Sequence, residues 1–250
     1  MTGGLLVITA HPDDEVLIAG GTLAACAAAG IDGGVMCLTR GERGPISDPR
    51  LATPTTLADV RVKELHAACT ELGVRVVKCW RRQDGGLRWS DRSSIVRQLV
   101  AALESSRPDA VITFGEDGLY YHPDHVATYE LTLRAVQRLA DPPSLYRSVW
   151  PKALMRELGS ELRKRGLSDE LWELHPEDFG TEDLGGGFAI DVRQFVNKKL
   201  RALRARKTQI SDAHAFAALD FALADRFLGT EWFAPVLGSA DWLLKAAAHG

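Results

Sequence analysis

Residues 5–39 read LLVITAHPDDEVLIAGGTLAACAAAGIDGGVMCLT, and this stretch decides the fold. Leu5–Thr9 is a short apolar run that follows Gly3-Gly4 and ends at Ala10-His11-Pro12. Glu15–Ala29 is rich in Ala and Leu and closes at Gly30, a helix with a glycine stop. Val35–Thr39 is a second short apolar run. Two strands separated by one helix imply a parallel pair with a right-handed crossover.

The same unit recurs downstream. Helical stretches at Leu57–Leu72, Arg92–Ser106 and His125–Leu139 alternate with strands at Val74–Trp80, Ala110–Phe114 and Leu145–Trp150. That alternation predicts an α/β fold, Rossmann-like in the broad sense, with a mostly parallel sheet flanked by helices. After Pro151 the rhythm changes. Residues 151–170 read as a charged helix and Leu171–Gly187 as irregular, with Phe188–Val192 as the last strand. Helices are expected at Arg193–Gln209, Ala213–Phe227 and Ala240–Ala248. The 250 residues read as one domain: a β/α core over residues 1–150 and a C-terminal elaboration over 151–250.

Composition narrows the function. Hydrophobic residues are 46% and charged residues 25%, the balance of a globular chain rather than a disordered one. A net charge of -3 gives no basic excess for nucleic acid and no basic face for a membrane. Cys26, Cys37, Cys69 and Cys79 stand in apolar runs without a CxxC pair and read as buried thiols in a reducing compartment. The N-terminus lacks a signal-peptide pattern, and no apolar run is long enough to span a bilayer. A cytoplasmic, unanchored protein is expected. The sequence leaves the oligomeric state open, a homo-oligomer included.

In an open α/β sheet, ligands bind outside the carboxyl ends of the strands. After the first strand stands His11-Pro12-Asp13-Asp14-Glu15, and after the fourth stands Tyr120-Tyr121-His122-Pro123-Asp124-His125. Either cluster alone reads equally well as an acidic first helical turn or an ordinary helix start. Two His-Pro-Asp clusters at two strand ends point to chemistry. His11, Asp14 and His125 offer two nitrogens and one oxygen, a donor set suited to catalytic zinc with an open position for water. Asp13 and His122 remain beside them. They suit a base for the attacking water and a group that stabilises the oxyanion or protonates the leaving amine.

At these residues the sequence resembles the N-acetylglucosaminyl-phosphatidylinositol de-N-acetylase family, the PIG-L or LmbE-like deacetylases. The resemblance also runs through Thr39-Arg40-Gly41-Glu42-Arg43-Gly44, Arg61 to Glu64 with Leu72-Gly73-Val74, and Ile190-Asp191-Val192 with Lys199 and Thr208-Gln209. It implies a zinc-dependent hydrolase of N-acyl amides, foremost N-acetyl groups on amino sugars or glycosides. It implies His11, Asp14 and His125 as metal ligands, Asp13 as general base, and His122 as acid or oxyanion stabiliser. Tyr120 matches a mobile tyrosine near the carbonyl oxygen, and Arg61 and Asp84 match positions that contact the sugar. Fe2+ or another divalent ion suits the same donors as Zn2+. The chain departs from the family at Arg206, where a histidine is common, and in the glycine-rich Leu184–Phe188.

Two alternatives share these residues. One is an amidase for larger sugar conjugates or a natural-product intermediate, distinguished by the pocket from Arg40–Leu57, Asp84–Trp89 and Trp172–Gly187. The other is a metal-dependent binding module, which would need the ligands but neither Asp13 nor His122. His66, His175 and His214 read as surface or loop residues. Trp80, Trp89, Trp150, Trp172, Trp232 and Trp242 are scattered, mostly as core or interface positions. No G-x-G-x-x-G follows the first strand, which argues against a dinucleotide site.

Overall fold

A computed structural model describes residues 3–171, 174–210, 214–216 and 219–248. Its elements, in chain order, begin with β1 (Leu5–Thr9), α1 (Asp14–Ala28), β2 (Gly33–Thr39), α2 (Leu57–Leu72) and β3 (Arg75–Arg82). Next come α3 (Arg92–Ser106), β4 (Ala110–Thr113), the single turn α4 (Gly118–Tyr121), α5 (Pro123–Val136) and β5 (Ser144–Ser148). The C-terminal part adds α6 (Lys152–Lys164), β6 (Phe188–Asp191), α7 (Val196–Arg204), α8 (Phe221–Leu228), β7 (Thr230–Leu237) and α9 (Asp241–Ala248).

The seven strands form one sheet in the order β3-β2-β1-β4-β5-β7-β6. β1 to β5 pair in parallel, and β7 is antiparallel to both β5 and β6. Every residue of β1, β2 and β4 is buried, which is why these segments read as continuous apolar runs rather than alternating ones. The strand order reverses between β1 and β4. This switch point opens a crevice at their carboxyl ends, and the two His-Pro-Asp motifs follow those two strands.

Helix α1 is buried along almost its whole length, because it packs on β1 and is itself covered by α2, α7 and α9. It kinks at Ala19 (φ −155°, ψ 16°). The amides of Gly21 and Thr22, just past the kink, donate to the Glu231 carboxylate of β7, both at 2.8 Å. A side chain at Gly21 would run into Val192 at 2.5 Å, so glycine lets α1 approach the end of β6.

The sequence reading needs several corrections. Phe188–Val192 is not the last strand: β7 follows it and lies between β5 and β6. Pro235, which argues against a strand interior, stands opposite Tyr146 at a register shift, beyond the residues of β7 that pair with β6. The sheet therefore extends past residue 150. Helix α5 begins at Pro123 rather than His125: His122 Nδ1 caps it by accepting the Asp124 N–H at 3.2 Å, and Pro123 occupies the first turn. The helices expected at 151–170 and Arg193–Gln209 are shorter, and Ala213–Phe227 is helical only from Phe221 among its described residues. Part of that stretch, and Trp172, lie outside the described residues. All four cysteines are free thiols. Among the described residues, no helix is long and apolar enough to cross a membrane.

Candidate active site

The loop after β1 and the start of α5 bring three donors together. His11 Nδ1 lies 3.3 Å from His125 Nε2 and 3.5 Å from Asp14 Oδ2. His125 Nε2 lies 3.2 Å from Asp14 Oδ1. Ligands about 2.0–2.1 Å from a tetrahedral zinc are separated by roughly 3.3–3.4 Å, so this triangle has the size of one face of such a site. His122 nitrogen also falls within 4.8 Å of ring nitrogens of His11 and His125.

The outward-facing nitrogens are held as well. His11 Nε2 is 2.9 Å from Asp84 Oδ1 and 3.5 Å from Asp124 Oδ2. His125 Nδ1 is 3.1 Å from the Gly118 carbonyl, and its ring stacks on Phe114 at 4.0 Å. Such partners fix a metal-ligating imidazole's tautomer and orientation. Gly118 has φ +52°, and a Cβ there would meet His125 Cβ at 2.9 Å. Burial opposes charge on His11, yet its close contacts with the Asp124, Asp14 and Asp84 carboxylates raise its pKa well above the ordinary imidazole value. Burial likewise opposes charge on Asp14, and the two histidines outweigh it, holding the carboxyl well below its usual range. The Asp14, Asp84 and Asp124 carboxylates gathered around the two imidazoles make the pocket attractive to a cation, so the residues present fit a divalent metal by size, donor type and charge.

Asp13 stands next to this cluster with φ 129°, a conformation rarely open to a residue with a Cβ. Its N–H donates to Glu15 Oε2 at 3.0 Å, and its Oδ2 is 2.9 Å from Arg61 Nη2. Burial raises the Asp13 pKa despite Arg61, a direction suited to proton acceptance and return. Burial, with His125 and His11 nearby, pushes His122 down to about 4. Because its Nδ1 accepts from Asp124, the neutral ring carries its proton on Nε2. Tyr120 packs against His122, His125 and Phe179 at 4.7–5.6 Å between ring centres, and burial raises its phenol pKa. The turn that carries it is strained, with Leu119 at φ 69° and Tyr121 at φ 61°.

Arg61 and Asp84 line the cleft, but both are engaged within the protein. Arg61 is 3% exposed and donates to the carbonyls of Gly41 and Pro12 at 2.7 Å, besides pairing with Asp13. Gly41 has φ +63°, and a Cβ there would strike this guanidinium. Asp84 accepts from Arg43 N–H at 2.9 Å as well as holding His11; burial resists ionisation, but these bonds bring its pKa to about 2. Glu64 accepts from the Thr208 N–H and hydroxyl, tying α2 to Thr208-Gln209. The cleft has a volume of about 340 Å³ and is walled also by Arg43, Leu17, Trp150, Phe179 and Gln209.

Three site-supporting residues escaped the sequence reading. Asp124 is fully buried and accepts from the amides of Gly85 (2.7 Å) and Leu87 (3.0 Å), clamping the loop that carries Asp84. Its position between two histidines was the available signal. Glu15, read as part of an acidic turn, is wholly buried and pairs with the equally buried Arg206. The departure at Arg206 therefore lies behind Asp13 rather than at a remote position. His214 is a further correction: it is buried, not solvent-facing, whereas His66 and His175 are exposed.

The chain is similar to known proteins over most of its length. The family model described as PIG-L, GlcNAc-PI de-N-acetylase, matches residues 6–136. A 1D-myo-inositol 2-acetamido-2-deoxy-alpha-D-glucopyranoside deacetylase of Acidothermus cellulolyticus is 33% identical over 96% of this chain and 91% of that protein. A deacetylase of the same description from Catenulispora acidiphila is 31% identical over 95% of this chain and 84% of that protein. Among solved structures, the N,N'-diacetylchitobiose deacetylase of Pyrococcus horikoshii is 25% identical with a TM-score of 0.58, covering 84% of this chain and 71% of that one. The chain belongs to the PIG-L deacetylase family.

Proposed function

We propose that this chain hydrolyses the N-acetyl amide of an amino sugar or glycoside, with a divalent metal, zinc foremost, held by His11, Asp14 and His125. The observation that carries the reading is the His11–Asp14–His125 triangle with Asp13 and His122 beside it. The names of the relatives, deacetylases of acetamido sugars, support it. A bound metal supplies a Lewis acid for the carbonyl and lowers the pKa of water. Asp13 takes the proton of the attacking water. His122 Nε2–H donates to the developing oxyanion, with Tyr120 as a second donor. Asp13 then returns its proton to the nitrogen as the C–N bond breaks. Arg61 positions Asp13, and Asp84 positions His11. The same reading takes residues 1–250 as one domain acting in the cytoplasm on a small molecule.

The test is amine release from a panel of N-acetylated sugars and glycosides, with metal content measured in parallel. His11→Ala and His125→Ala should lose metal. Asp13→Asn should keep metal and lose about 10²–10⁴ in turnover. Full turnover in Asp13→Asn refutes the base assignment, and unchanged metal in the histidine variants refutes the ligand set.

A further inference from the structure

The cleft has two kinds of wall. Its polar wall includes Arg43 and Asp84, joined by a hydrogen bond, and Gln209, whose amide donates to the Pro45 carbonyl at 2.9 Å. Its apolar wall runs from Tyr120 to Phe179 to Trp150, with ring centres 4.7 and 5.9 Å apart, and includes Leu17. Behind the apolar wall lies a second cavity of about 30 Å³. Leu17 and Trp150 line both spaces, so these two side chains form the partition.

The second cavity is bounded by Ile18 of α1, Leu154, Met155 and Leu158 of α6, and Phe227 and Leu228 of α8. Its charged residues satisfy each other: Lys199 Nζ lies 2.6 Å from Glu231 Oε1, and Glu231 holds the amides of Gly21 and Thr22. Trp232 also lines it, and its buried indole N–H has no hydrogen-bond partner among the described residues. The space accommodates about two water-sized groups. Acetyl, with a single methyl group, does not need it.

We infer that this cavity is an acyl-chain subsite, and that the enzyme accepts N-acyl groups of about three to five carbons. The inference rests on the N-acyl hydrolase reading above and extends it. The sugar lies toward Arg43, Asp84 and Gln209, and the acyl carbons pass between Leu17 and Trp150 toward α6. Water adds to the carbonyl carbon, the C–N bond breaks, and the nitrogen leaves as an amine with the proton that water gave up. The short-chain carboxylate is the other product.

The test measures kcat/KM for N-acetyl-, N-propionyl-, N-butyryl-, N-hexanoyl- and N-decanoyl-glucosamine, read by amine release. Burying a methylene is worth about fourfold in affinity. The expected result is a rise of about three- to fourfold per carbon from acetyl to butyryl and a fall at decanoyl. Met155→Trp, or Leu158→Phe in a second variant, fills the cavity from α6; each should abolish the rise and leave acetyl hydrolysis unchanged. Hydrolysis that is best on acetyl and declines with every added carbon overturns the subsite, with water as the occupant beside Trp232, and leaves the deacetylase reading standing. Hydrolysis of none of the series, whether on free glucosamine or on the same acyl groups carried by a glucosaminide, overturns both. The wild-type series decides the question even if a filling variant fails to fold.

Discussion

Replacing Asp124 by Ala should damage both stability and metal binding, although Asp124 is not one of the three proposed ligands. Its carboxylate accepts the amides of Gly85 and Leu87 at 2.7 and 3.0 Å in a fully buried position. A buried hydrogen bond to a charged group contributes about 1.5–3 kcal/mol, so losing two costs roughly 3–6 kcal/mol. In a chain of this length that lowers Tm by roughly 6–24 °C. The released loop carries Asp84, which holds His11 Nε2 at 2.9 Å. Loss of such an orienting partner reduces metal affinity about 10–100-fold. Thermal melts of metal-free protein and competition with a chelating indicator measure the two effects separately. Unchanged melting together with unchanged affinity would refute the clamp. Reduced melting with wild-type affinity would show that Asp84 holds His11 without help from Asp124.

Other outcomes follow from the same geometry. Arg206→Met leaves the Glu15 charge buried without its partner and should cost about 3–5 kcal/mol in urea melts. Adding Glu15→Gln should restore most of that stability, and failure to do so contradicts a paired role. Gly118→Ala should weaken metal binding, because a Cβ meets His125 at 2.9 Å; an affinity equal to wild type counts against the Gly118–His125 contact. Burial pushes the His214 imidazole down to about 4, from an ordinary value of 6.5. A lowered imidazole pKa contributes stability that is whole above pH 6.5 and is lost as pH falls toward about 4, by about 3 kcal/mol in all. Urea melts across that range should show a slope that His214→Phe flattens, and a slope identical in the variant excludes His214 as its source.

How much of this was legible in the sequence depended on the range of the forces involved. β1, α1 and β2 were readable because burial on both faces of a central strand leaves a continuous apolar run. His11, Asp14 and His125 were readable because both motifs follow strands that flank the switch point, so local sequence reported a distant meeting. β7 was not, since Pro235 looks like a strand breaker until the neighbouring strand's reach is known. Arg61 and Asp84 were assigned to the sugar, but their side chains hold Asp13 and His11 across 48 and 73 residues of chain, partnerships that no local pattern encodes. Arg206 stood out as a departure, and its meaning depended on Glu15, buried beside it.

The backbone of Asp13, at φ 129°, has a consequence for engineering. A residue with a Cβ in such a conformation costs about 1–3 kcal/mol, a cost glycine escapes. Asp13→Gly would relax that backbone but take the carboxylate from the buried Arg61 guanidinium, a loss of about 3–5 kcal/mol that outweighs the relief. A stabilisation campaign on this scaffold therefore gains nothing at that codon, because the carboxylate proposed as the base is also what holds the Arg61 charge in place.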